Sequence, residues 1–227
     1  MFWKAKGKGA HEKPDDGLGQ RRPVKVADTG KWSEEKIEMM LSSQNKDKIR
    51  VKDALAGMEK PFTALLLIDP KEYAEVKSRV VEEFDENSSI TYIALNSGYS
   101  ALKNEFGKRG MKLKEAFFVD MVSVEAGSKP QKEPGVEYLS SPLDLTDCLL
   151  SIVKRLEETD GKALVIMDSV STLLIYNNAA SVEKFIHSML GKVNAAGASA
   201  LVFSAGTGER DSVTSTIGQF FGKIIRI

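Results

Sequence analysis

The chain has 227 residues, 42% of them hydrophobic and 28% charged, and its 32 basic and 32 acidic side chains cancel to zero formal net charge. That balance suits one globular domain with a sizeable core and at most an appendage. No run approaches the roughly 18 uninterrupted apolar residues of a membrane helix. The opening MFWKAKGKGAHEK lacks the apolar stretch of a secretory signal, so the cytoplasm is the expected location and no membrane contact is expected. A single cysteine, Cys148, excludes an internal disulfide framework, and two distant histidines, His11 and His187, offer no zinc cluster.

In chain order, residues 1–31 carry glycines, prolines and charges but few aliphatics, which predicts a disordered basic tail. Residues 1–26 hold seven Lys/Arg against three Asp/Glu, an excess of four that leaves residues 27–227 with four surplus negative charges. Nucleic acid is therefore not an expected partner of the core and could be attracted only through the tail. Residues 32–62 read as short helices leading into the core. Ser33 can cap one with Ile37, Met40 and Leu41 on its apolar side, and a second fits 51–58. From residue 63 apolar runs alternate with helical patterns. The runs read as strands at 64–68, 90–95, 116–122, 163–167, 199–203 and 223–227, with helices at 71–84, 98–109, 143–158 and 179–195. The last helix places Val182, Phe185, Ile186, Met189, Leu190 and Val193 on one face. The segment 123–142 reads as a surface loop. Strands apolar on both faces and separated by helices predict an α/β three-layer sandwich around a mostly parallel sheet, with helices alternating between its faces.

Ligands of such sheets bind beyond the carboxyl ends of the strands. The fourth strand ends in Asp168-Ser169, within KALVIMDSVSTLLIYNN. A carboxylate there can hold magnesium directly or through water, or it can cap the following turn. The stretch resembles the Walker B region of the RecA superfamily, most of all its KaiC-like branch, where a hydrophobic strand runs into Asp-Ser and Ser-Thr-Leu-Leu. DALAGMEKPFTALLLID at 53–69, ITYIALNSGYSALKNEFGKRGMKLKEAFFVDMVS at 90–123 and AAGASALVFSAGTGERDSVTSTIGQFFGKIIRI at 195–227 extend the resemblance in order. It covers about 53–227. It implies a P-loop NTPase type of sheet with the Asp168 strand central and strand 199–203 between it and 64–68.

The departures from that family are equally clear. Its phosphate loop is G-x-x-x-x-G-K-[ST], whose glycines let N–H groups converge on phosphate. Here the place reads Asp69-Pro70-Lys71-Glu72-Tyr73-Ala74-Glu75. Pro70 lacks a donor, Tyr73 adds bulk, Asp69, Glu72 and Glu75 bring negative charge, and Lys71 is the only cation nearby. Asp69 is expected to cap the helix with Pro70 at its first position. The family's catalytic glutamate position reads Asn96, which can orient a water but cannot take its proton. Gly206 and Gly208 follow a strand without the rest of a dinucleotide fingerprint, and Asp120 and Asp168 fall on strands expected to be apart. The resemblance thus implies a degenerate domain without a Walker A motif, a pseudo-ATPase with no cofactor and no catalytic residues. It would act as a regulator or scaffold through a protein partner, either itself or an active relative. The setting implied is archaeal-type signal transduction. Asp168, Ser169 and Lys71 are what the resemblance leaves of a nucleotide-binding site; the alternative is an ATPase with an atypical loop, in which Asp168 holds magnesium and Lys71 the phosphates of ATP. A DNA-associated recombinase accessory ranks third.

Overall fold

The structure, a computed structural model, describes residues 50–160, 162–206 and 212–227. The expected tail at 1–31 and the helix capped by Ser33 lie outside these residues. Seven strands form one sheet: β1 (Thr63–Ile68), β2 (Ser89–Ala94), β3 (Phe117–Asp120), β4 (Val136–Tyr138), β5 (Ala163–Asp168), β6 (Ser199–Ala205) and β7 (Lys223–Arg226). Their order is β4-β3-β2-β5-β6-β1-β7 and every pairing is parallel. The Asp168 strand is therefore central, and β6 separates it from β1, as the order of motifs implied. β4 lies inside the segment 123–142 that reads as a loop. Its three residues are too few to show a period, and they are strand because Val136, Glu137 and Tyr138 pair with the edge of β3.

Helices α2 (Tyr73–Phe84), α3 (Tyr99–Lys108), α4 (Leu145–Glu158), α5 (Val170–Tyr176), α6 (Ala179–Ala195) and α7 (Ser212–Gly218) connect the strands, and a helical segment, α1, precedes them at 50–55. α5 was not expected from the sequence pattern. It is seven residues long, capped by Ser169, and buries only Val170 and Leu173.

The helices do not alternate between faces. Residues of α1, α2 and α3 share one core with Leu66, Tyr92, Ile166 and Phe203, while those of α4, α5 and α6 share the other with Leu65, Ile93, Val165 and Val202. Direction of travel explains this. From β1 through β2 and β3 to β4 the chain moves toward one edge. From β5 through β6 to β7 it moves toward the other. Right-handed crossovers put connections of opposite direction on opposite faces. The two directions part between β2 and β5, and that boundary is where an open parallel sheet forms a crevice at its carboxyl end.

Candidate site at the β2 and β5 strand tips

Asp168 is the last residue of β5, in register with Ala94 at the end of β2, and is fully buried. A carboxylate without water must be matched by donors, since an unpaired buried charge is very costly. Here three hydrogen-bond donors and one ammonium provide that match. The Tyr92 hydroxyl donates to Oδ2 at 2.6 Å, and Asn96 Nδ2 donates to Oδ1 at 2.6 Å. Tyr73, from the first turn of α2, donates its hydroxyl to the same Oδ1 at 2.5 Å. Lys77 Nζ lies 3.9 Å from Oδ2 and 3.0 Å from Glu105 Oε2, so one buried ammonium sits between two carboxylates. Ser78 supplies a hydroxyl to the other oxygen of Glu105 at 2.5 Å. Burial, together with the negative charge of Asp168, pushes both phenols well above their ordinary range, so Tyr73 and Tyr92 remain protonated donors.

Each of these groups is delivered by ordinary local structure. On β2, Tyr92 points into the α2 and α3 core, where its ring meets Phe106 and Phe118, and its hydroxyl reaches the tip of β5. On α2, the positions 73, 76, 77, 80, 81 and 84 form one helical stripe, and Lys77 lies within it among Val76, Val80 and Val81. Its stem is thus buried and its ammonium emerges at the strand tips.

Lys71, the phosphate ligand under the ATPase alternative, stands on an exposed turn, and Lys77 is the cation that reaches Asp168. The sequence reading of Lys71 as the only cation nearby is therefore corrected. Glu72 is salt-bridged to Arg50 at 2.8 Å, and Glu75 is bound by Arg109 and by Arg79, the latter at 2.9 Å. These two carboxylates therefore do not simply add negative charge to the site. Asp69 does not cap α2 either. Its side chain accepts the Lys71 N–H within a tight turn at 2.8 Å, and the helix starts at Tyr73 after Glu72. Pro70 precedes the helix, so the extra residues are absorbed by the turn.

The backbone of this turn is also spoken for. Asp69 N–H donates to Ile227 O, Lys71 N–H to the Asp69 side chain and Glu72 N–H to Asp69 O, while Pro70 has none. Phosphate loops work by aiming such N–H groups outward. Around Ser169, the Oγ accepts from Thr172 N–H at 3.4 Å to cap α5, and the Thr172 hydroxyl bonds Asn96 Oδ1. Asp168, Ser169 and Asn96 are thus brought together, and Lys71 is not among them.

Asp120 ends β3 on the other side of β2, so the two aspartates are on separate strands as expected. It is fully buried and accepts from the N–H groups of Tyr99, Val122 and Ser123 and from the Ser123 hydroxyl, at 2.7–2.9 Å. That set fastens the start of α3 to the strand tip. Cys148 is buried in the α4 core, its thiol pushed well up by burial. Gly208 falls outside the described residues.

The model of a family described as a family of unknown function, DUF7090, matches residues 65–227. No curated protein matches the chain. Among solved structures, the fold is similar to an uncharacterized protein from Pyrococcus horikoshii in complex with an unknown peptide. That pair has a TM-score of 0.60 and 11% identity, covering 78% of this chain and 82% of that one. It is also similar to a KaiC-like protein from the hyperthermophilic archaeon Pyrococcus horikoshii, with a TM-score of 0.52 and 11% identity, covering 75% of this chain and 73% of that one. At such identity the likeness is one of fold.

Proposed function

The chain belongs to the family of unknown function DUF7090, and we propose that it is a non-hydrolysing domain of KaiC/RecA-like fold that works by binding protein. One observation carries this reading. The carboxylate that would serve magnesium is fully buried and holds three donors, from Tyr73, Tyr92 and Asn96, with Lys77 beside it. With no exposed surface, Asp168 can take a metal or a metal-bound water only if one of these neighbours is displaced, at about 1–3 kcal/mol per orphaned donor. The turn from β1 supplies no free N–H among Asp69 to Glu72 to compensate. Asn96, in place of a general base, is bonded to Asp168 and Thr172 and cannot accept a proton.

A role through protein contacts is supported by the surface. The large apolar residues exposed among the described ones are Leu143, Leu150, Ile175, Tyr176 and Ile224. Leu143 on one segment and Ile175 and Tyr176 on another adjoin residues joined by a hydrogen bond, from Asn177 Nδ2 to Pro142 O at 3.1 Å. Contiguous exposed apolar surface is what protein contact sites use. A partner, a second copy or an active relative, would be held there in a regulatory or scaffold role of the signal-transduction type, with the protein in the cytoplasm. The peptide bound by the Pyrococcus horikoshii neighbour accords with a fold that accepts protein ligands.

The test is phosphate release from magnesium-ATP by the purified full chain, with and without Asp168→Ala. Release at the buffer rate for both supports the reading. Release above buffer that Asp168→Ala abolishes while that variant still melts cooperatively would overturn the reading in favour of an ATPase with an atypical loop.

A further inference from the structure

The edge of the sheet at β7 adds a specific binding mode to the protein-binding reading on which it rests. In the parallel ladder with β1, Ile227 turns both its backbone groups inward. Its N–H donates to Leu67 O at 3.0 Å and its carbonyl accepts from Asp69 N–H at 3.2 Å. Alternate residues of a strand share this direction, so Ile225 and Lys223 also face β1. Ile224 and Arg226 turn their N–H and C=O to the open side. No strand pairs with that side among the described residues.

The side chains say what fits. Ile225 is buried on the α1 and α2 face, whereas Ile224 is 44% exposed. Lys223 and Arg226 bracket it, both exposed, and neither has a carboxylate partner among the described residues. A second copy of β7 added antiparallel with its outward residues facing these would set each Arg226 against the other copy's Ile224 and bring two Lys223 and two Arg226 to one seam with no carboxylate in either strand, which opposes self-addition. An extended segment with an apolar centre and flanking carboxylates would instead complete the ladder and pair both cations.

We propose that β7 is a docking edge for an acidic extended segment of a partner protein, joined to the sheet through the backbone groups of Ile224 and Arg226. Basic residues on an edge also discourage aggregation, and the test separates the two roles.

Three fluorescent seven-residue peptides serve as probes for anisotropy titration of the full chain: Thr-Thr-Glu-Val-Ile-Glu-Thr with capped, uncharged ends, whose carboxylates are spaced as Lys223 and Arg226 are, its Lys-for-Glu counterpart, and the acidic peptide with its isoleucine replaced by proline. The expected result is saturable binding of the first peptide only, weakened at least about tenfold by Lys223→Glu with Arg226→Glu. Ile224→Pro, which deletes an outward N–H and leaves the β1 ladder intact, should weaken it similarly. In the unmodified chain, hydrogen exchange at Ile224 and Arg226 should slow on adding the acidic peptide, a readout that needs no variant to fold. Absence of binding, equal binding of the proline peptide, or unchanged exchange at Ile224 and Arg226 overturns the proposal. Failure here with no phosphate release leaves the non-hydrolysing reading standing. Phosphate release with intact peptide binding overturns that reading and keeps the edge.

Discussion

Asp168 is where the account is decided at the scale of single residues. Removing it takes from the hydroxyls of Tyr73 and Tyr92 and the amide of Asn96 their shared acceptor and leaves the buried ammonium of Lys77 with Glu105 alone. Asp168→Ala is predicted to lower stability by about 3–5 kcal/mol, the range for breaking a buried charged network. Tyr92→Phe removes one donor and should cost about 1–3 kcal/mol. Urea denaturation checks both, and near-neutral values would mean that the carboxylate is hydrated. The sequence made Asp168, Ser169 and Asn96 visible because they end strands. It concealed Tyr92, whose hydroxyl reaches Asp168 only through the register of β2 on β5. Lys77 was legible in principle. A lysine inside the stripe Val76, Val80 and Val81 demands a buried partner, and the nearby phosphate-loop position drew the reading to Lys71 instead.

At the scale of elements, α2 and α3 are clasped by charge. Glu75 accepts from Arg109, which caps the end of α3, and from Arg79 one turn along α2. Hydrogen bonding from Arg109 holds its carboxyl below the ordinary value, against the opposing effect of burial. A lowered folded-state pKa means that the contribution is present above the unfolded value of 4.5 and is lost as pH falls through the folded one. Glu75→Gln should therefore cost at most about 1 kcal/mol at pH 7, since the pair is partly exposed, and the difference from the parent should shrink as pH is lowered below the unfolded value of 4.5. Parallel melts at pH 7 and at successively more acid pH test this; a gap that widens in acid would contradict it. The start of α3 offers a steric test. A Cβ on Gly98 would lie 2.3 Å from Ser123 Oγ and 3.3 Å from Asp120 Oδ2, inside the set that fastens the helix. Gly98→Ala is predicted to lower stability by about 1–3 kcal/mol, measured by thermal melting. Most elements were readable because each strand is apolar on both faces and each long helix has one stripe. β4 and α5 escaped because three and seven residues carry too little period, and their state is set by the neighbours they meet.

For the whole molecule, the order of motifs was enough to give the sheet, since the Asp168 strand, β6 and β1 had only one compatible arrangement in the family resembled. The distribution of helices was not legible, because the face each one covers depends on the direction in which the chain crosses the sheet. At the strand tips the chain's own side chains surround Asp168, and the proposed reading is that this site takes no magnesium-nucleotide. Any ligand of the native state raises its stability by mass action, by roughly 2.7 kcal/mol at a hundred times its dissociation constant. The most direct test is thus a thermal-shift titration of the full chain with magnesium-ATP. The account predicts a melting temperature that does not change up to millimolar nucleotide. A saturable rise that Asp168→Asn or Lys77→Met removes would contradict it.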